Sequence, residues 1–177
     1  MTSPTTFKPL FDQTQAALRG DPDAAAAVFS AQSRGVAGLH RKARLRNFEL
    51  DVDEPPALGG EDRGPNPVEL ILAALATCQE ITYRLYADSL GIPLDDVSVT
   101  LVGRLDLRGL FNAGEDIRPG FQEITGTVSI GSSAGPEALA KLKSLVDAHC
   151  PVLDLLRHPT PVSLSLATTS EKSVAAA

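Results

Sequence analysis

The stretch LGGEDRGPNPVELILAALATC, residues 58–78, decides how the chain is read. Its first half is a loop, because Gly59, Gly60, Gly64 and Pro65 break any regular period. Asn66 then offers a side-chain oxygen to unpaired amides, Pro67 suits a first helical position, and Glu69 stands three residues beyond the cap. The pattern predicts a helix from Pro67 to about Ser89, closed by Gly91 and Pro93, with Cys78 in its middle.

Upstream, residues 7–19 read as a short amphipathic helix stopped at Gly20-Asp21-Pro22. Ala24 to Arg34 is ambiguous between helix and strand, with strand favoured after Ala27. Gly35 and Gly38 mark a turn region. Leu39 to Asn47 is charged and alternating, which suggests an exposed or edge strand. Phe48, Leu50 and Val52 alternate with acidic residues as in a half-buried strand. Residues 54–66 form a loop.

Downstream, Val97, Val99, Leu101, Leu105 and Leu107 share one face of a long strand, and Arg108 to Gly120 is a Gly-rich loop. Ile124, Val128 and Ile130 mark another strand. Gly135-Pro136 opens a second helix through His149, and Pro151 starts a short one to Arg157. Val162, Leu164 and Leu166 suggest a last strand, and the Thr/Ser/Ala-rich tail from Thr168 is expected to be disordered. No repeat is found, and strands and helices do not alternate strictly, so the fold class is α+β.

A chain of 177 residues suits one domain. Asp and Glu number 22 against 16 Lys and Arg, and Trp is absent. That composition argues against a nucleic-acid partner. No basic start precedes an apolar run, and no stretch is long enough to span a bilayer, so a cytoplasmic protein with no membrane partner is expected. Two cysteines in a reducing compartment are more often catalytic, redox-sensing or buried than a structural staple.

Cys78 shares its helix face with Ile71, Ala74, Leu75, Ile81, Thr82 and Leu85, so on this pattern alone it reads as a small buried core residue before it reads as a reactive thiol. Cys150 precedes Pro151 near a helix start, where free amides favour a thiolate; an incidental Cys at a helix-breaking corner is the alternative. The two stand 72 residues apart and form no CxxC or metal pattern with His40, His149 or His158. His149 is read as a bystander.

Residues 58–78 and the run His149-Cys150-Pro151-Val152 together resemble the two signatures of the OsmC/Ohr family. The resemblance spans roughly residues 27–167, leaving 1–26 as an N-terminal extension. It implies an OsmC/Ohr-like fold of curved antiparallel sheets packed on two long helices, each helix carrying a Cys, in an intertwined homodimer with active sites at the interface. It also implies reduction of organic hydroperoxides: Cys78 becomes a sulfenic acid, condenses with Cys150 to a disulfide, and is restored by a lipoyl-type or small dithiol. No metal or organic cofactor is implied.

Peroxidatic members hold the thiolate with an Arg from the N-terminal strands and a Glu directly after the helix-opening Pro. Among Arg34, Arg41, Arg44 and Arg46, the expected residue is Arg46, because it leads into the Phe48-Leu50-Val52 strand; Arg108 and Arg118 are candidates for the pocket rim. Here the chain departs from the pattern, with Val68 after Pro67 and Glu69 one residue on. Glu69 points about 180° from Cys78 on a straight helix and is read as a capping residue. The expected function is therefore a thiol peroxidase of oxidative stress defence. The alternatives are a module that binds a small hydrophobic ligand and a redox sensor without turnover.

Overall fold

The computed structural model describes residues 6–168, so most of the tail expected to be disordered lies outside the described residues. Three antiparallel strands come first, β1 (Gln32–Ala37), β2 (His40–Leu45) and β3 (Phe48–Val52), in the order β1-β2-β3. β2 is therefore central, where the alternating charges suggested an edge. A charged strand is tolerated there because cross-strand acids meet its cations: Asp51 accepts from His40 at 2.7 Å and pairs with Lys42 at 3.0 Å, and Glu49 faces Arg44. Residues 26–31 are irregular, so β1 begins four residues later than expected.

The long helix α2 (Pro67–Leu90) begins as its sequence predicts. The Asn66 side chain accepts from the Glu69 amide at 2.9 Å, and the Glu69 carboxylate accepts from the Asn66 amide at 2.8 Å, a complete capping box. Gly91 closes the helix at φ 66°, a left-handed conformation that suits glycine.

Next come β4 (Asp96–Leu105), the single-turn helix α3 (Leu107–Leu110) and β5 (Phe121–Gly131). β4 and β5 pair antiparallel over their full length. Val97, Val99, Leu101 and Leu105 line the inner face of β4, but Leu107 does not. Asp106 ends the strand by accepting the Arg108 amide, which turns the chain into α3. Helices α4 (Pro136–His149) and α5 (Pro151–Arg157) have the boundaries expected of them.

The core lies where the second half of α2 meets α4 and the β4–β5 ribbon. Tyr83, Ala87, Leu94, Leu142 and Val146 are buried together, with Val97, Val128 and Ile130 packed against them. The preceding helix α1 (Lys8–Gly20) docks on the far end of α2. The Phe7 amide donates to Asp88 at 2.7 Å, and the Phe11 ring meets Tyr86 edge-on.

Residues 161–168 form no strand within the chain. Val162, Leu164 and Leu166 keep their alternation but stand exposed, Leu166 at 95%. A period-two pattern makes a strand only where a sheet edge receives it, and residues 161–168 pair with no strand among the described residues.

The loop between β3 and α2 is held by one buried carboxylate. Asp53 accepts from the amides of Glu54, Glu61 and Arg63, which folds the loop back over the end of β3. Gly60 and Gly64 are needed there, because a Cβ would collide with the carbonyls of Glu54 and Asp51. Burial pushes the Asp53 carboxyl up, but the three amide donors outweigh it and leave it below its ordinary 3.8. A depressed folded value means stability that is complete above pH 3.8 and lost as pH falls through the lower folded value. Asp53→Asn is expected to lower the melting temperature by several degrees at neutral pH. The gap to the parent should narrow as pH falls below 3.8, followed by thermal melts across the acid range.

Candidate active site

The two cysteines reach one another through helix packing. α4 runs to His149 because Leu142 and Val146 are fully buried against α2. The Cys150 amide closes the last turn on the Val146 carbonyl at 2.9 Å. Pro151 has no N–H to continue that ladder and disfavours helical backbone at the residue before it. Cys150 accordingly sits at φ −77°, ψ 112°, and α5 starts afresh in a new direction.

The result is a Cys150 that is 1% exposed, with its Sγ 3.3 Å from the Sγ of half-buried Cys78. Both are free thiols. A disulfide needs roughly 2.05 Å between sulfurs, so closing the gap takes little more than side-chain rotation.

Burial pushes the Cys78 thiol up; the Val152 amide, which donates to its sulfur, pulls it down, and the neighbouring Cys150 thiol raises it again. The Thr82 hydroxyl donates to the Cys78 carbonyl at 2.7 Å and bears on the sulfur too. No cation is among these groups. Arg46 lies in the β2–β3 turn at φ 57° with its guanidinium 5.2 Å over the Phe48 ring, and the chain does not bring it to the thiols. Arg108 is held by Asp106, while Arg118, in the loop before β5, borders a groove between α2, the β4–β5 ribbon and α5. Glu69 is occupied in the capping box.

The Cys78 side of α2 is less buried than its apolar face suggested. Leu75, Gln79, Thr82 and Tyr83 turn inward, while Ile71 and Ile81 remain exposed, Ile81 at 61%. Sequence reasoning missed the aromatic column of Phe11, Tyr86 and His149, in which His149 stacks on Tyr86 at 5.4 Å. It also missed the Val152 amide, whose only sequence trace is its place just after Cys150-Pro151.

A family model for OsmC-like protein matches residues 59–165, more than half of the chain. The chain belongs to the OsmC-like family. Solved structures of this family share its fold. An OsmC-like protein from Mycoplasma pneumoniae is 19% identical at TM-score 0.63, covering 75% of this chain and 89% of its own. An organic hydroperoxide resistance protein OsmC from Legionella pneumophila is 27% identical at TM-score 0.58, covering 74% and 90%. An organic hydroperoxide resistance protein from Elizabethkingia anophelis, with thiocyanate bound, is 22% identical at TM-score 0.59, covering 76% and 91%. No curated protein matches the chain.

In this OsmC-like chain, mild oxidation is expected to consume both thiols together. Diamide should remove two thiols per chain by a thiol titration, with no covalent dimer on a non-reducing gel. The cross-link should raise the melting temperature, by a loop-entropy term of about 4 kcal/mol at most. Cys150→Ser should abolish that rise.

Proposed function

We propose that this protein is a thiol-dependent peroxidase that reduces organic hydroperoxides in the cytoplasm, with Cys78 as the attacking thiol and Cys150 as the resolving one. The observation that carries this reading is the 3.3 Å approach of two free thiols from distant parts of the chain. Membership in a family that includes an organic hydroperoxide resistance protein 27% identical supports it.

The Cys78 thiolate attacks the outer peroxide oxygen. The O–O bond breaks, the alkoxide leaves with the electron pair, and protonation makes it an alcohol. Cys78 is left as a sulfenic acid. The Cys150 sulfur attacks Cys78 Sγ, expelling hydroxide, which leaves as water with the Cys150 proton. A lipoyl-type or small dithiol reduces the disulfide and is itself oxidised to a disulfide. No metal or organic cofactor enters the cycle.

The working unit in this reading is a homodimer. The β1–β3 sheet lies mostly exposed. Val28, Phe29 at 91%, Leu164 and Leu166 stand in water, as do Ile71 and Ile81 beside Cys78. Exposed apolar surface on this scale marks an interface. A second copy would cover it and bring a cation to the thiol, for which Arg46 of the partner subunit is the candidate.

The full-length protein is expected to elute at twice its 18.6 kDa chain mass and to reduce t-butyl hydroperoxide in the presence of dihydrolipoamide. Cys78→Ser should abolish turnover. Arg46→Ala should cut kcat/KM by about tenfold or more while leaving the dimer intact, in line with the loss of one charge-assisted contact. Turnover no faster than that of Cys78→Ser would refute the peroxidase reading, though a redox sensor would still form the disulfide.

One observation favours a second reading, the binding of a small hydrophobic ligand. A groove of about 670 Å³ opens between α2, the β4–β5 ribbon and α5, with Ile71, Leu75, Val99 and Leu101 among its apolar lining and Arg118 and Lys143 among its charged lining. Neither cysteine lines it. Gln79, 5% exposed, also borders it, and its amide nitrogen is buried without a hydrogen-bond partner among the described residues. An apolar ligand that copurifies equally with the parent and Cys78→Ser would favour this reading.

A further inference from the structure

The hydroxyl of Thr82 makes a contact common to helical threonines, as Thr77 does with Ala73, but it makes it beside the Cys78 sulfur. Thr82 lies one turn beyond Cys78 on α2, so the two side chains are neighbours on one helix face. It is 6% exposed, and its Oγ1 donates to the Cys78 carbonyl at 2.7 Å. That carbonyl lies four residues back, where α-helix geometry already supplies the Thr82 backbone amide as its donor. The hydroxyl is therefore free to turn without orphaning an acceptor, and threonine in a helix has two accessible χ1 wells.

The groups facing the Cys78 sulfur are few. From the α4–α5 junction come the Cys150 thiol at 3.3 Å and the Val152 amide; from α2 itself comes Thr82. Cys150 is the titratable group among them, and no charged side chain joins them. A thiolate that forms there must draw its stabilisation within the chain from neutral donors.

We propose that Thr82 is a built-in activating donor, whose hydroxyl swings from the Cys78 carbonyl onto the Cys78 sulfur when the thiol ionises and, with the Val152 amide, holds the thiolate. This deepens the peroxidase reading and adds a residue to that site, but it concerns ionisation of the thiol and holds whether or not turnover follows. The proton remains on the hydroxyl oxygen throughout; only its acceptor changes. In a half-buried site such a bond to an anion is stronger than the neutral one it replaces.

The test is the pH dependence of Cys78 alkylation by iodoacetamide in the reduced full-length protein, followed by mass spectrometry of the Cys78 peptide. Thr82→Val keeps the shape and removes the hydroxyl. It is expected to raise the Cys78 pKa by about half to one unit and to slow alkylation at neutral pH about three- to tenfold. Thr82→Ser restores the donor and should return the titration to that of the parent. Should Thr82→Val prove unstable, Thr82→Ser and Thr82→Ala are compared instead, and the same difference is expected between them. Loss of melting temperature with an unchanged Cys78 titration would overturn the proposal, showing that the hydroxyl serves only the helix. A shifted titration in a protein without peroxidase turnover would sink the peroxidase reading and leave this one standing.

Discussion

The interruption between α4 and α5 is the constraint on which the site depends. α4 must reach His149 to bury Leu142 and Val146 against Tyr83 and Ala87 of α2. It must also stop there, since a continuous helix would carry residue 150 along the α4 axis. Pro151 enforces the stop by lacking an amide proton and by driving Cys150 into extended backbone. The same break frees the Val152 amide from α4 and turns it toward Cys78. Core packing and thiol chemistry are thus joined at one dipeptide, and packing sets the distance between the sulfurs.

The single chain carries surface that a stable isolated fold does not need. The β1–β3 sheet, the irregular segment with Val28 and Phe29, and the alternating residues Val162, Leu164 and Leu166 are all exposed. The basic residues cluster in the same outlying sheet: Arg34, Arg41, Lys42, Arg44 and Arg46 fall within thirteen consecutive positions of an otherwise acidic chain. The thiol pair differs: Cys150 is buried, Cys78 is half-buried, and no cation is among the groups that bear on the Cys78 sulfur. Surface lacking a partner and a site lacking a charge are complementary deficits, and a second copy would answer both.

Local signals made much of this legible from sequence. Asn66, Pro67 and Glu69 announce α2 because a capping box is a short-range device, and all three do what their order implies. Gly135-Pro136 and Cys150-Pro151 mark α4 and α5 for the same reason. The errors fall where the answer depends on what lies across space. β2 read as an exposed or edge strand because its charges were visible and their partners, Asp51 and Glu49, were not yet placed beside them. Residues 162–166 carry a strand pattern without a strand, because pairing is a property of two segments. The meeting of Cys78 and Cys150 across 72 residues came from family resemblance alone; nothing in their spacing requires it. Thr82 was visible as a member of the Cys78 face, but its hydroxyl looked like one polar atom on an apolar stripe.

The proposed peroxidase reading places an electrostatic conflict at this site. Partial burial of Cys78 disfavours the thiolate that would do the attacking in the proposed reaction. Neutral donors and a cation relieve that conflict differently. The Val152 amide is fixed by the α5 backbone, and a hydroxyl at Thr82 travels with its own helix, so both stay with Cys78 wherever the chain folds. In the proposed dimer, a guanidinium on the β2–β3 turn would reach the sulfur only after two chains assemble. On this division, folding alone yields a partly prepared thiol, and assembly completes it. An unpaired chain would then hold its thiols close together with little appetite for peroxide, and full reactivity would be reserved for the state in which the exposed apolar segments are covered.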